Sequence, residues 1–308
     1  MRSYVKPGKK LLVAVSGGPD SVALAHLVKA LPYPFLLAHV DHQLRKGSGK
    51  DRDFVRRLAA SWDLPCVVVA VNVRAHGRKK NMGIEEAARE LRYQALVKLA
   101  RRHRCSAIMT GHHANDQAET VLMNYLRGAG PSGLAGIPPR RQMQNISLLR
   151  PLLKFPRQTL LDYLKQQGLR YRQDPTNRSL RYQRNRIRHV TLPYLERDYP
   201  GLGGRLGQSA EIFRQEEDFW DQIVRSKLLK TVRKNNKRIV IDLANLLGYH
   251  RALVRRIFRH VLPGLSFQEI ERVVALAGSP NGVCSLHLGR NIVVERRAKQ
   301  LLIFKRNS

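Results

Sequence analysis

Residues 11–28 read LLVAVSGGPDSVALAHLV. Leu11 to Val15 is an unbroken apolar run of strand length, and Val22 to Leu31 continues with helical spacing. Unbroken rather than alternating apolar strands belong to sheets covered on both faces. The same alternation recurs outward from this stretch. Leu36–Val40, Cys66–Val71 and Ser106–Gly111 read as further strands, and Asp51–Trp62, Gly83–Arg102 and Asn115–Arg127 as the helices between them. Strands separated by helices of this length predict β-α-β units, hence a parallel sheet with helices on both faces, a Rossmann-like α/β fold.

The pattern then breaks. Residues 128–139, GAGPSGLAGIPP, predict a mobile loop. Residues 156–168 read as a helix with Pro156 at its start and Gly168 at its end, and 182–197 as another. The glycine-rich 201–208 reads as a boundary, within which a helix could start, followed by a long amphipathic helix over Ser209–Val232. The remainder predicts a smaller α+β domain, with a strand at Ile239–Ile241, helices over 251–262 and 266–278, and strands at 283–287, 291–296 and 300–304.

Composition bounds the partners. The 308 residues carry 56 Lys plus Arg against 23 Asp plus Glu, a formal charge of +33. A core cannot absorb that excess, so it coats the surface and attracts polyanions. Nucleic acid is the first expectation and an anionic membrane surface the second. The apolar run near the N-terminus is too short to span a membrane, so no membrane partner and a cytoplasmic location are expected. The cysteines, Cys66, Cys105 and Cys284, are too far apart in sequence for a C-x-x-C metal or redox motif.

Ser16-Gly17-Gly18-Pro19-Asp20-Ser21 lies between the first strand and its helix. Glycines let backbone N–H groups converge on an anion, serines add hydroxyls, and the helix turns its positive end to the same place. As local structure alone, it is equally a turn capped by Asp20 or Ser21. His39-Val40-Asp41-His42 ends the second strand, at the edge where open α/β sheets bind ligands. His112-His113-Ala114-Asn115-Asp116-Gln117-Ala118-Glu119-Thr120 follows the fourth strand in the same way, with His112, Asp116 and Glu119 near one helix face. Glu85 and Arg89, four apart on a helix, read from spacing as a surface pair. Arg178–His189, RSLRYQRNRIRH, reads as a phosphate-binding patch for RNA.

Taken together, SGGPDS, HVDHQLR, EEAARELRY, GHHANDQAET, GAGPSGLAGI, RPLL and DPTN…RNRIRHVTLP resemble, in order and spacing, the tRNA(Ile)-lysidine synthetases of the PP-loop (N-type ATP pyrophosphatase) superfamily. The resemblance covers roughly residues 10–200 and extends more weakly to LHLGRNIVVERR; Gln173 stands where an acidic residue is common. It implies an ATP-binding catalytic domain over 1–205, with a helical extension from about 150, and a basic tRNA-binding accessory domain over 206–308. It implies ATP and Mg2+ as cofactors, and as substrates free L-lysine and the tRNA(Ile) with a CAU anticodon. The wobble cytidine would be adenylated, and the lysine amine would then displace AMP. Ser16, Gly17, Gly18, Pro19, Asp20 and Ser21 would hold ATP, with Asp20 and Asp41 near Mg2+. Asp41, His112, Asp116, Glu119 and Arg89 are the expected catalytic residues: Asp116 and Glu119 for the lysine ammonium, His112 or Arg89 for charge at the α-phosphate. The loop 128–136 would close over the base. Arg184, Arg186, Arg188 and, in the accessory domain, Arg255 would meet RNA. A homodimer is one expected assembly. Two alternatives remain open: a PP-loop tRNA thiolase, against which the isolated cysteines speak, and a non-catalytic basic RNA-binding protein.

Overall fold

In the computed structural model of the chain, β1 (Leu11–Ala14) lies inside a six-stranded sheet and runs into α1 (Pro19–Lys29). The structure describes residues 5–6, 8–44, 47–173, 179–235, 238–280, 284–289 and 291–306. Residues 174–178, which include the DPTN motif, and residue 283 at the start of one expected strand lie outside the described residues. The chain divides into two units, Met1–Arg214 and Gln215–Ser308.

The first unit continues through β2 (Phe35–Asp41), α2 (Ser48–Ser61), β3 (Cys66–Ala70), α3 (Val73–Lys80), α4 (Ile84–Arg102), β4 (Ala107–Met109) and α5 (Ala114–Leu126). A short α6 (Pro131–Leu134), the hairpin β5 (Arg140–Met143) and β6 (Ile146–Leu149), and α7 (Arg157–Gln166) follow. Next come α8 (Gln183–Arg186), a π-helical turn (Ile187–Thr191) and α9 (Leu192–Asp198). Then α10 (Leu202–Thr231) crosses the division between the units.

The strand order is β3-β2-β1-β4-β6-β5. The first five are mutually parallel, and β5 pairs antiparallel to β6 at the edge. This is the expected α/β sheet with one addition, the β5–β6 hairpin. The chain builds leftward from β1 to β3, then crosses to the other side of β1 for β4. That reversal is a topological switch point, where the loops after β1 and β4 part and leave a crevice.

Side chains along each strand alternate between two cores. Leu11, Val13, Val15, Leu37, Met109 and Leu149 pack with α1, α2 and α7. Leu12, Leu36, Ala38, Ile108 and Leu148 pack with Tyr93, Leu96, Val97 and Ala100 of α4. The two faces are thus covered by different helices, as the continuous apolar strands require.

Residues 128–139 differ from the expected loop. They hold α6, and Asn124 Nδ2 donates to Gly133 O at 2.8 Å while Ile137 N–H donates to Gln117 Oε1 at 2.7 Å. The segment is tied to α5 at both ends. Within the stretch 201–208 a helix does start: α10 begins at Leu202, and the Glu196 carboxylate accepts the N–H groups of Gly201 (2.7 Å) and Gly203 (3.0 Å) at its start. The two units divide between 214 and 215, inside this helix.

The second unit holds the end of α10 and an antiparallel sheet of order β7-β8-β11-β10-β9. Its elements are β7 (Val232–Asn235), β8 (Arg238–Asp242), α11 (Leu243–Leu247), α12 (Arg251–Val261), α13 (Phe267–Gly278), β9 (Cys284–Leu288), β10 (Ile292–Arg297) and β11 (Gln300–Lys305). Its core is built from Ile257 and Phe258 of α12, Ile270 and Val273 of α13, and Ile241, Val294 and Leu301 of the sheet. Among the described residues no helix is long and apolar enough to cross a membrane.

Leu37 in β2 is fully buried. Leu37→Ala is expected to cost about 2–5 kcal/mol of stability, read as a lower urea midpoint.

Candidate active site

The loop after β1 is braced by its own side chains. Ser16 N–H donates to Ser21 Oγ at 3.1 Å, Gly18 N–H to Ser16 Oγ at 3.3 Å, and Ser21 Oγ–H to Gly18 O at 2.9 Å. Gly17 has φ +91°, the left-handed region that favours glycine. The N-cap of α1 is Gly18, not Asp20 or Ser21, and no side chain caps it; Pro19 occupies the first turn. The helix start is therefore left open to an external anion. Arg172 N–H donates to Gly17 O at 2.9 Å, so the chain returns to this loop after α7.

Gly111, directly after β4, sets the distance between the two switch-point loops. A Cβ there would lie 2.7 Å from Asp20 O and 2.9 Å from its carbonyl carbon. Only glycine lets the β4 end come so close to the first turn of α1. His113 follows, almost fully buried, and caps α5: its Nδ1 accepts Asp116 N–H at 3.3 Å while Asp116 Oδ2 accepts the His113 N–H at 3.1 Å. Its Nε2 lies 3.6 Å from Asp20 Oδ2 and 3.5 Å from Asp116 Oδ2. His113 thus joins the phosphate loop to α5. Sequence reasoning passed over it for His112, although an N-cap immediately before a helix with Asp three residues on is a readable capping box.

His112 precedes the helix, with Nδ1 2.9 Å from Thr110 Oγ1. Burial drives its pKa down to about 3, with Arg92, Arg150 and Arg184 adding to the drop and Asp116 opposing it. It is neutral at physiological pH, a hydrogen-bonding group and not a cation. At the end of β2, His39 Nδ1 lies 2.8 Å from Val15 O, which ties β2 to β1. Asp41 is buried and its Oδ1 accepts Gln43 N–H at 3.0 Å. Burial, then Arg92 and His39, push His42 down to about 4 against the pull of Asp41.

Asp116 and Glu119 are both buried, and both are engaged. Arg184 donates from Nε to Glu119 Oε2 at 3.0 Å and from Nη2 to Asp116 Oδ1 at 3.1 Å. Arg188 donates from Nε to Glu119 Oε1 at 2.6 Å and from Nη2 to Asp116 Oδ1 at 2.9 Å. Burial pushes the Asp116 carboxyl up, but His113, Arg184, His112 and Arg188 hold it below its ordinary value. Residues expected in two separate roles, carboxylates for an ammonium and arginines for RNA, form one buried network. The π-helical turn at 187–191 places Arg188 in it, as such turns often do at working sites.

The other expected residues scatter. Arg89 makes no ion pair with Glu85 among the described residues; its guanidinium sits 5.2 Å from the Tyr93 ring centroid. Arg186 is exposed. Arg255, in the second unit, is held by Glu271, with Nη2 to Oε2 at 3.0 Å. Among the described residues no three His, Cys, Asp or Glu side chains gather as a metal site. Asp20 fits a single-carboxylate site only by exchange: its Oδ1 is buried beside the loop without a hydrogen-bond partner, but Arg157 Nε lies 3.8 Å from it.

A PP-loop domain model matches residues 2–195. The tRNA(Ile)-lysidine synthase of Thermosynechococcus vestitus is 35% identical over 291 residues, 91% of this chain and 82% of that relative. The chain belongs to the tRNA(Ile)-lysidine synthase family. Other members are those of Geobacillus kaustophilus (33% identical, covering 93% of this chain) and Geobacter sulfurreducens (34%, covering 98%). The chain spans 65% and 66% of the length of these two relatives. In fold it is similar to the U34-tRNA thiolase NcsA from Methanococcus maripaludis, with a TM-score of 0.59 at 19% identity over 70% of this chain and 75% of that one.

Gly111→Ala must push the first turn of α1 away from β4. It is expected to weaken ATP binding at least tenfold, about 1.4 kcal/mol, measured by calorimetry. The depressed pKa of His112 means that the unfolded chain binds its proton first as pH falls. Stability is therefore full above about 6.5 and is lost as pH falls from there toward about 3. His112→Gln is expected to flatten that part of a pH series of urea midpoints.

Proposed function

We propose that this chain ligates lysine to the wobble cytidine of tRNA(Ile) with a CAU anticodon, consuming ATP and releasing AMP and pyrophosphate. One observation carries the reading. The open phosphate cradle at Ser16–Ser21 and the Asp116–Glu119–Arg184–Arg188 network meet at the switch point, coupled through Gly111 and His113. Family membership and the strongly basic surface support a tRNA acceptor.

The cytidine C2 oxygen attacks the α-phosphorus of ATP; the C2–O–P bond forms and the bond to pyrophosphate breaks. The lysine ε-amine then attacks C2, the C2–O bond breaks, AMP leaves, and the amine gives up a proton. The loop N–H groups and the start of α1 receive the pyrophosphate oxygens as charge collects on them. Mg2+ bound by Asp20 and the phosphates would supply further neutralisation of that charge. His112, neutral, offers a hydrogen bond to the α-phosphate when its Nδ1 accepts from Thr110. Asp41, committed to the turn at Gln43, positions the end of β2. The ammonium of lysine reaches Asp116 and Glu119 only by exchange with a guanidinium, and Arg184 is the partner that leaves. Arg186 and, in α12, Arg259 are exposed and reach RNA without breaking an ion pair seen in the fold. A cytoplasmic location follows from the substrate.

Sulfur delivery is a poorer fit. Cys66 and Cys105 lie in the first unit and Cys284 in the second, and burial raises both thiols of the first unit.

The test is AMP and pyrophosphate release with labelled lysine and a tRNA(Ile) transcript. Pyrophosphate is expected to need tRNA, AMP to need tRNA and lysine together, and label is expected in the tRNA only when the wobble base is cytidine; no label in tRNA overturns the reading. Arg184→Gln is expected to lower the KM for lysine several-fold with little change in the KM for ATP. Asp116→Asn is expected to cut kcat by at least a hundredfold.

A further inference from the structure

Three guanidiniums near the switch point lack a carboxylate. Arg150 follows β6, is 3% exposed, and donates from Nη1 to Pro138 O at 2.5 Å, yet its Nε is buried without a partner. Arg92 of α4 also has a buried Nε without a partner. Arg89 and Arg92 both sit over the Tyr93 ring, each 5.2 Å from its centroid, and the buried Tyr93 hydroxyl turns toward the Arg150 guanidinium. Among the described residues none of the three arginines makes an ion pair. Burial, and then the neighbouring arginines, hold both guanidiniums below their ordinary value against the pull of Tyr93: Arg141 and Arg92 beside Arg150, and Arg92, Arg184 and Arg150 beside Arg89. The contrast with Arg184 and Arg188, whose forks are filled by Asp116 and Glu119, is sharp.

Collecting like charges with unfilled donors is unfavourable unless an anion completes them. The two faces of the sheet separate this cluster from the phosphate loop. The loop leads into α1, which packs on Leu11, Val13 and Met109, while Arg89, Arg92 and Tyr93 rise from α4, which packs on Leu12, Ile108 and Leu148. The cluster still acts on His112, beside the reacting region. A groove of about 770 Å3 runs outward from Arg89 and Tyr93 between α4 and β5, with Lys98, Arg101 and Arg141 along it. Its acids are Glu86 and Glu90, and Glu90 is paired with Lys80.

We propose that Arg150, Arg92 and Arg89 around Tyr93 form a second anion subsite, distinct from the loop that holds ATP, which binds a backbone phosphate of the RNA acceptor next to the reacting base. The guanidinium fork matches two phosphate oxygens, and a backbone contact fixes register without reading sequence. The inference rests on the proposed function for the identity of the acceptor.

The test compares wild type with Arg92→Gln, Arg92→Lys and Arg150→Lys, each checked by thermal melting, using an anticodon stem-loop RNA over a salt series and ATP in parallel. Arg92→Gln is expected to lower the slope of log affinity against log salt by about 0.7–0.9, with ATP affinity unchanged. Arg92→Lys keeps the slope but weakens binding, since the charge stays and the fork is lost. Arg89→Gln, on an exposed position, gives the same slope change if Arg92→Gln fails to fold. An RNA slope equal to wild type in the folded glutamine variants overturns the subsite. A loss of ATP affinity with the RNA slope intact also overturns it, and assigns the anion to the nucleotide. Wild type that binds the stem-loop but releases no AMP defeats the proposed function while the slope measurement still decides the subsite.

Discussion

The close approach of Gly111 to the carbonyl of Asp20 fixes the rest of the site. Two parallel strands, β1 and β4, send their chains to opposite sides of the sheet from neighbouring ends. Any side chain at 111 would wedge those ends apart. With none, His113 drops into the gap, caps α5 and lies within 3.6 Å of both Asp20 and Asp116. The glycine-rich loop and the carboxylate-bearing helix are thereby joined through one buried side chain.

Charge balance decides how the pieces can act. The chain carries a large basic excess, yet at the centre of the first unit two buried carboxylates take up two guanidiniums, leaving that network near neutral. A neutral network tolerates burial, where a lone carboxylate would not. In the proposed reaction it also means that a cationic substrate would enter by exchange, which would tie amine binding to the segment carrying Arg184. His112 beside it is stripped of charge by burial and by three arginines, so it serves as a dipole.

Much of the fold was legible because it rests on local rules. The apolar runs gave β1, β2, β3 and β4, and their continuity foretold helices on both faces. The hairpin β5–β6 was missed: its outer strand, Arg140–Met143, is polar and mostly exposed, so no apolar run marked it, and only the turn at Gln144, with φ +53°, hints at it. The glycines at 201–208 suggested a break, but the Glu196 carboxylate caps the helix that starts there.

The sequence by itself determined the strand–loop–helix unit, the glycines of the phosphate loop, the basic character and the family motifs. Each is a property of neighbouring residues: backbone freedom, apolar period, summed charge. Tertiary structure decided which charges are spent and which are free. Glu119 finds Arg184 and Arg188 across 65 and 69 residues of chain, and Arg150 finds none. Both outcomes turn on how α5, the π-helical turn and β6 pack. Spacing cannot reveal that, because an ion pair between distant segments depends on the path of the chain between them and not on the identity of its ends.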